Sequence, residues 1–342
     1  MVQVVRDVGG VHAQVQASAE LQLAARIDGL TQDEVRAALW ERRDLVKAWT
    51  LRGTLHIHPA DELALWLAAA RKASPEGRTT ELDEWVDPKG VRHPALGRAE
   101  VEELRVAILA ALDGRPLLRE ELATDVIARA GPKVGGRLRS GFAFFGGAEL
   151  CQGPPQGAKI TLARPDQWIE NWVEVDETDA LREVSRRFLN AYGPARAAAF
   201  REWFSSREFD AGAVEEVDVE GHRSTVLEGD TEFPEAERSV RLLPEYDVYV
   251  MGFREREHLV PAWVRQQVAA HGRGRYEGPA GVRFLFVDGL AAGLWERKKH
   301  GKRIELTVTP AKKLSRAQRV ELEHEAERIG AFLGFEPALT VE

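Results

Sequence analysis

The feature that most constrains the fold is an order of elements that recurs three times along the 342-residue chain. In each of three segments, short helical patterns precede a compact strand–turn–strand pattern. The first segment has helical patterns from Leu21 to Ile27 and from Thr31 to Trp40, with Thr31 as the predicted N-cap. Its two strands turn at Arg52–Gly53. Helices followed by a hairpin are typical of winged-helix modules, so the sequence predicts such modules in tandem.

The second and third segments repeat this order with different residues. The second runs from Ala99 to Trp168 and closes with a predicted hairpin from Glu149 to Leu162. The third has the helical patterns TDALREVSRRFLNAYG and PARAAAFREWFSSREF, followed by the hairpin VEEVDVEGHRSTVLEG with a Glu–Gly turn. The predicted modules therefore span residues 1–95, 96–175 and 176–240.

The pattern changes to strands from about Leu242 onward. The runs YDVYVMG, VRFLFVDGLAAGLWER and RIELTVTP are alternating or apolar and predict an antiparallel meander. An amphipathic helix follows, capped by Ser315 and ending near Gly334. The predicted fold class is α+β, in which tandem winged-helix modules precede a barrel-like antiparallel β-domain at residues 241–342.

Composition excludes several classes of protein. The chain is 44% hydrophobic and 30% charged, as expected for an ordinary globular protein. No apolar run reaches the roughly 18–20 residues that a membrane span needs, and Arg6 and Asp7 interrupt the first apolar residues, so neither a membrane anchor nor a secretory signal is predicted. The single cysteine, Cys151, excludes an internal disulfide and a cysteine-rich metal cluster. A cytoplasmic protein is expected.

Charge is distributed unevenly around a net value of −8. From Glu208 to Glu237 the only Lys or Arg is Arg223, whereas basic residues cluster elsewhere. The clustered basic residues are Arg129, Lys133, Arg137, Arg139, Arg273, Arg275, Arg297, Lys298, Lys299, Lys302, Arg303, Lys312, Lys313, Arg316 and Arg319. The pattern predicts one basic concave face and an acidic back; the alternative is several ordinary solvated faces.

Two glutamines flank one aliphatic residue in Gln14–Val15–Gln16. Residues two apart share a face on an extended chain, whereas on a helix they point about 200° apart. For both amides to address one substrate, the triplet must be extended or lie at a helix entry. A glutamine does not titrate, but its carbonyl oxygen can hold a water and its dipole can stabilise developing positive charge. The alternative is a pair of surface glutamines near a helix start.

The triplet, followed by RGTLH at residues 52–56, resembles the AlkZ-like family of bacterial DNA glycosylases. The resemblance continues through YGPARAAAFREW (Tyr192–Trp203), LLPEYDVYVMGFRER (Leu242–Arg256) and DGLAAGLWER (Asp288–Arg297), so it covers most of the chain. It implies a winged-helix enzyme that removes alkylated purines from DNA and unhooks interstrand crosslinks. The family's catalytic glutamines are carried onto Gln14 and Gln16, in the two-glutamine branch rather than a sibling group with an acid at the second position.

The family pattern also has a basic helix upstream of the triplet. Here eleven residues precede His12, which predicts a first module that is truncated or has lost a part.

The chemistry implied by the resemblance suits these residue types. A purine alkylated at N7 or N3 is already cationic, so its bond to the sugar is weakened before any protonation. Its departure leaves an oxocarbenium-like sugar that needs stabilisation and a water. No lysine lies beside the pair in the sequence to form a Schiff base, so simple hydrolysis is predicted, with no lyase activity and no cofactor.

The strand after Arg52 offers further candidates. Arg52, Thr54 and His56 are predicted to share one strand face, with Arg52 holding a phosphate and His56 orienting the water or the sugar. The alternative is a buried polar cluster that fixes the hairpin. His58 and Asp61 could join His56 at a metal, but no other ligand is indicated and no metal is predicted.

Two basic segments are candidates for DNA contact. A predicted hairpin, suited to phosphates or to the minor groove, carries Arg297, Lys298, Lys299, Lys302 and Arg303. The alternative for this hairpin is a charged, mobile loop. The run GPKVGGRLRSG brings Arg137 and Arg139 near DNA, either as a recognition helix or as a loop around the backbone, because its glycines disfavour a regular helix.

The expected partner is double-stranded DNA with alkylated purines, bound by a monomer in the cytoplasm at the nucleoid. One alternative is a non-catalytic winged-helix regulator, although a regulator usually dimerises and no zipper-like heptad is evident. The other alternative is a drug-binding self-resistance protein whose tryptophans line a cleft. Trp40, Trp49 and Trp66 lie at apolar positions and are predicted to be core.

Overall fold

The computed structural model describes residues 1–73, 81–87, 89–140, 149–233, 235, 237–254, 256–270 and 281–342. The predicted basic pair Arg273 and Arg275 lies outside the described residues, as does the end of the predicted segment around residues 141–147.

The first segment contains the two predicted helices, α2 and α3, and the predicted hairpin, together with further short elements. Its elements are α1 (Val2–Asp7), β1 (Val11–His12), α2 (Gln16–Ala24), α3 (Gln32–Trp40), β2 (Leu45–Trp49), β3 (Leu55–Pro59) and α4 (Leu63–Ala73). Thr31 caps α3 in a capping box, because its side chain accepts from the Glu34 amide while the Glu34 carboxylate accepts from the Thr31 amide. The β2–β3 turn passes through Arg52 and Gly53, both at positive φ. Helix α2 begins at Gln16, five residues earlier than the periodicity indicates.

The second and third segments also have the predicted helices and hairpins. Their elements are β4 (Trp85–Val86), β5 (Arg92–His93), α5 (Arg98–Ala111), β6 (Leu117–Leu118), α6 (Arg119–Gly135), β7 (Cys151–Gln156), β8 (Lys159–Ala163), α7 (Pro165–Trp168), α8 (Glu177–Tyr192), α9 (Ala197–Phe204), β9 (Val214–Val219) and β10 (His222–Leu227).

The first two hairpins do not stand apart as separate wings. They join in one sheet of order β1-β3-β2-β7-β8-β6, because Lys47 and Ala48 of β2 pair with Gln152 and Cys151 of β7. Each hairpin thereby covers one edge of the other, which removes two open sheet edges. The winged-helix assignment and the module boundaries remain predictions.

The C-terminal part is built around a second sheet. Its elements are β11 (Val240–Leu243), α10 (Val248–Met251), α11 (Ala262–Ala270), β12 (Phe284–Val287), β13 (Leu290–His300), β14 (Arg303–Pro310), α12 (Arg316–Leu333) and β15 (Glu336–Val341). The strand order is β11-β12-β13-β14-β15, and the sheet curls into a half-barrel. Ser315 caps α12, and Gly334 ends it in the left-handed conformation, as predicted.

Two predictions for this region are wrong. The run YDVYVMG forms the short helix α10 rather than a strand, since the buried Asp247 carboxylate accepts from the Tyr249 amide and starts a helical turn. The sheet is also not purely antiparallel, because β15 pairs parallel to β14. Helix α12 supplies the crossover that a parallel pair requires.

The two ends of the chain share one hydrophobic core. Val11 of β1 and Leu23 of α2 belong to the same buried cluster as Leu285, Trp295 and Phe332 of the C-terminal part. The N-terminal helices are therefore fixed against the C-terminal sheet.

The predicted core tryptophans are in or against hydrophobic clusters. Trp66 is fully buried, and Trp40 and Trp49 are partly buried against the clusters beside them. No helix among the described residues is long and apolar enough to cross a membrane.

Candidate active site and nucleic-acid interface

The glutamine triplet connects β1 to α2. Val15 is extended at φ −111° and ψ 108° and occupies the N-cap position, and Gln16 is the first residue of α2. Gln14 is exposed and Gln16 is half-buried. Of the two geometries that the sequence allowed, the triplet has the helix entry.

The Gln16 amide lies between two buried charges. Lys47 Nζ donates to Gln16 Oε1 at 2.9 Å, and Gln16 Nε2 donates to Glu20 Oε1 at 3.2 Å. The expectation that no lysine lies beside the pair is wrong, because β2 brings Lys47 to Gln16 from 31 residues away. Since one end of the amide faces an ammonium and the other a carboxylate, its orientation is fixed.

Both charges are held in the interior. Burial lowers the pKa of Lys47 to about 8, although the nearby Glu20 charge opposes this shift. Glu20 is 2% exposed and also accepts from Gln32 Nε2 at 2.8 Å and from Arg36 Nε at 3.4 Å. Gln16 is thus one member of a connected buried network.

Gln14 is held much more loosely than Gln16. Its Oε1 accepts from the Leu55 amide at 3.4 Å, at the long end of the hydrogen-bond range. The two glutamines are therefore unequal: Gln16 is locked, whereas Gln14 can turn toward solvent or substrate.

A second set of contacts fixes α2 against the C-terminal part. Ser18 Oγ donates to the Glu245 carbonyl. Arg26 makes two hydrogen bonds to the fully buried Asp247, at 2.7 and 2.9 Å. Gln22 donates to the His12 carbonyl and accepts from the Val248 amide. These buried contacts determine where the helix that carries Gln16 begins and points.

Three buried histidines adjoin the triplet, because His12 of β1 precedes it and pairs with His56 of β3, the strand that also carries His58. The rings of His12 and His56 are 5.2 Å apart, and those of His56 and His58 are 6.0 Å apart. Burial, reinforced by neighbouring positive charges, lowers the pKa of His12 to about 4 and of His58 to about 3, and it holds the pKa of His56 well below its usual value. All three imidazoles are therefore neutral at neutral pH.

This position argues against direct DNA contact by His56. Its side chain is 2% exposed and its Nδ1 lies 3.1 Å from the Thr54 carbonyl, so it belongs to a buried polar cluster. The metal alternative also lacks support, because Asp61 pairs with Arg6 at 3.0 Å. No group of three or more potential metal ligands occurs in the part of the chain that the structure describes.

Arg52 and Arg137 differ from their predicted positions. Arg52 lies in the short turn Leu51–Gly53 rather than on a strand face, and it donates to the Trp203 carbonyl. Arg137 is 1% exposed and donates to the Asp83 and Pro94 carbonyls, so it is part of the core and cannot reach DNA in this conformation. Its neighbour Arg139 is exposed.

The basic hairpin is the β13–β14 pair, whose turn holds Gly301 and Lys302. Lys298 and Lys302 are exposed, and Lys299 Nζ lies 4.3 Å from the centre of the Phe335 ring. Arg303 is paired with Glu336 at 3.0 Å. These positions make the tip of the hairpin, rather than Arg303, the part available to a phosphate.

Arg297, at the base of this hairpin, interacts electrostatically with Glu20. Burial, and then repulsion from Arg283, lowers its pKa, whereas Glu245 and Glu20 oppose the shift. Arg283 in turn pairs with Glu245 at 2.6 Å. The base of the hairpin thus lies within electrostatic reach of the Gln16–Glu20 network.

Sequence reasoning missed Lys47 and Glu20. Lys47 carries a signal, since it is a charged residue at an inward position of the apolar strand LVKAW. Glu20 is four residues after Gln16 on one helix face.

The comparisons with known proteins agree with this architecture. A family model described as DNA glycosylase AlkZ-like matches residues 5–332. The chain therefore belongs to the AlkZ-like DNA glycosylase family, and DNA is its substrate class.

The sequence comparison and the structure comparison each match a protein of Streptomyces sahachiroi. An interstrand DNA cross-link repair glycosylase of that organism is 30% identical over 349 residues, covering 95% of this chain and 88% of the relative. The structure of the Streptomyces sahachiroi DNA glycosylase AlkZ superimposes with a TM-score of 0.75 at 26% identity, covering 100% of this chain and 93% of the other.

Proposed function

We propose that the chain is a monofunctional glycosylase that hydrolyses the N-glycosidic bond of purines made cationic by alkylation at N7 or N3, including those in interstrand crosslinks. The observation that carries the proposal is the unequal pair of glutamines at the entry to α2. Gln16 is fixed between Lys47 and Glu20, whereas Gln14 is exposed and held at 3.4 Å. Crosslinked purines are included because the Streptomyces sahachiroi relative is named as an interstrand DNA cross-link repair glycosylase.

Each glutamine has its own role in this proposal. The Gln14 carbonyl, with little of its hydrogen-bonding capacity in use, holds the attacking water. Gln16, whose orientation is fixed, presents the remaining lone pair of its Oε1 toward the sugar as positive charge develops. A leaving group that is already cationic needs no proton, which suits a site whose histidines are neutral and whose glutamines do not titrate.

Lys47 bears on whether the DNA strand is also cut. Its side chain is 5% exposed and donates to Gln16, so we propose that it does not attack the sugar and that no lyase step follows base release. Borohydride trapping on DNA with an abasic site tests this directly. A covalent adduct formed by wild type and missing from Lys47→Met would show that Lys47 forms a Schiff base.

The first experiment measures release of N7-methylguanine from methylated duplex DNA by wild type, Gln14→Ala and Gln16→Met. Release by wild type, and its loss in both variants while they remain folded, supports the proposal. Full activity in both variants contradicts the assignment of the glutamines. Sequence-specific footprinting without base release would favour a regulator instead.

We also propose that the protein is a monomer that acts on double-stranded DNA in the cytoplasm, at the nucleoid.

A further inference from the structure

A cavity of about 350 Å³ next to the glutamine site has an unusual charge content. Its described lining includes Arg52 from the β2–β3 turn, Arg201 and Glu202 from α9, and Arg254 and Arg256 from the segment after α10. Three of the segments that carry the family resemblance, at residues 52–56, 192–203 and 242–256, therefore meet in its wall. We call it the arginine cavity.

The positive charge in this cavity is poorly compensated. Arg52 and Arg256 are half-buried, yet their described partners are neutral carbonyls: Trp203 for Arg52, and Val250 at 2.7 Å and Arg254 at 3.3 Å for Arg256. Within the described ranges neither forms an ion pair. Half-burying a charge without a counter-charge is costly, so the arrangement favours a bound anion.

The other wall residues add to this excess. Arg254 lies 3.6 Å from Glu202, but both side chains are well exposed at 78% and 45%, and such pairs are weak. Arg201 is exposed on α9 and has no ion pair among the described residues. Burial and the neighbouring Arg256 charge lower the pKa of Arg52, which is consistent with two guanidinium groups facing the same space.

The chemistry of the lining selects a phosphate rather than the lesion. A guanidinium presents a planar fork of donors that matches phosphate oxygens bidentately. A cationic alkylpurine would be repelled by the same groups. Arg52 also acts electrostatically on His12 and His56, so the cavity adjoins the chain that carries Gln14.

We propose that the arginine cavity binds a backbone phosphodiester of the substrate strand, next to the nucleotide presented to Gln14 and Gln16. The choice of DNA as the source of the phosphate rests on the proposed function. Binding there would fix the register of the strand relative to Gln14 and Gln16.

The test uses the full chain and a fluorescent undamaged duplex, with affinity measured by anisotropy over a range of KCl concentrations. The double variant Arg201→Ala/Arg254→Ala removes two exposed wall charges, so its folding should match wild type in a thermal melt. The slope of log K against log salt should become shallower by about 0.9 for each phosphate that the variant no longer neutralises. The matched control is Arg223→Ala on β10, 87% exposed in the acidic hairpin, which should leave the slope unchanged.

Single methylphosphonate substitutions, which neutralise one phosphate at a time, locate the contact. These duplexes carry one uncleavable abasic-site analogue at a defined position. In wild type, neutralising one or two adjacent phosphates beside that position should weaken binding, and the double variant should be insensitive at those phosphates. An unchanged salt slope in the double variant overturns the proposal, and so does the same methylphosphonate pattern in both proteins. Inorganic phosphate that binds wild type more tightly than the duplex does would also overturn it, by showing a site for a free anion.

An assay of base release from methylated DNA distinguishes failure of the cavity proposal from failure of the proposed glycosylase function. If wild type releases no methylated base but the cavity variants still lose salt dependence, the arginine cavity remains a DNA site and the lesion assignment is wrong. If wild type releases the base and the cavity variants bind DNA like wild type, only the cavity proposal is wrong.

Discussion

Replacing Gln16 by alanine should destabilise the protein, whereas replacing Gln14 should not. Gln16 is the described hydrogen-bond partner of the Lys47 ammonium, which is 5% exposed, and it also donates to Glu20. Gln14 is exposed, and among the described residues its side chain makes one contact, with the Leu55 amide at 3.4 Å. The two substitutions are chemically identical, so each serves as the control for the other.

The size of the effect follows from the charge left behind. Without Gln16, Lys47 either stays charged and unpaired or loses its proton. Because the pKa of Lys47 is about 8, removing its proton at pH 7 costs about 1.4 kcal/mol. The electrostatic penalty cannot exceed this cost, since Lys47 would otherwise become neutral. Glu20 loses one donor but keeps Gln32 and Arg36, which adds about 1 kcal/mol. The expected loss in the free energy of unfolding is about 2–3 kcal/mol, against at most about 0.5 kcal/mol for Gln14→Ala.

Thermal unfolding followed by circular dichroism measures this difference. With about 2.1 cal/mol/K of unfolding entropy per residue, a loss of 2–3 kcal/mol lowers the Tm of a chain of this size by about 3–4 °C. Repeating the melts at pH 9 tests the cause, because Lys47 is then mostly neutral in wild type as well. The difference between wild type and Gln16→Ala should narrow by about 1 kcal/mol.

Two results would refute this reasoning. Equal Tm values for the two alanine variants at pH 7 would show that Gln16 does not hold the buried charges together. A difference that stays the same at pH 9 would show that the loss comes from packing and not from the Lys47 ammonium. Gln16→Met, which keeps the side-chain volume, separates these contributions.

Three further outcomes are expected. Lys298→Glu/Lys302→Glu should weaken duplex binding and make the salt slope shallower by about 2, checked by anisotropy; unchanged affinity would remove the hairpin tip from the interface. Arg137→Ala should lower the free energy of unfolding in urea by about 2–4 kcal/mol, because the buried guanidinium donates to two carbonyls. Unchanged stability together with weakened DNA binding would contradict this structural role. Burial lowers the pKa of His12 to about 4, so the unfolded state binds more protons and stability is lost as pH falls from about 6.5 toward 4. In His12→Phe, the free energy of unfolding from urea titrations should fall less steeply with decreasing pH, by up to about 1.4 kcal/mol per pH unit. The same pH dependence in the variant and in wild type would assign the acid sensitivity to other groups.

The sequence by itself determined the features that depend on neighbours along the chain. The repeated order of helices and hairpins, the Thr31 and Ser315 caps and the Gly334 stop all follow from local backbone and side-chain chemistry. The spacing of the two glutamines restricted the triplet to an extended segment or a helix entry, and the structure has the helix entry. The family could be identified because its quoted segments are themselves local.

The tertiary structure decided the features that depend on pairing between distant residues. Local periodicity does not indicate that β2 pairs with β7, that β15 is parallel to β14, or that Arg137 is buried. Strand partners and crossovers are set by packing between distant parts of the chain. Lys47 reaches Gln16 across 31 residues, and the arginine cavity combines three separate segments. A charged residue in an apolar strand can be noticed in the sequence, but only the folded chain shows which group its charge meets.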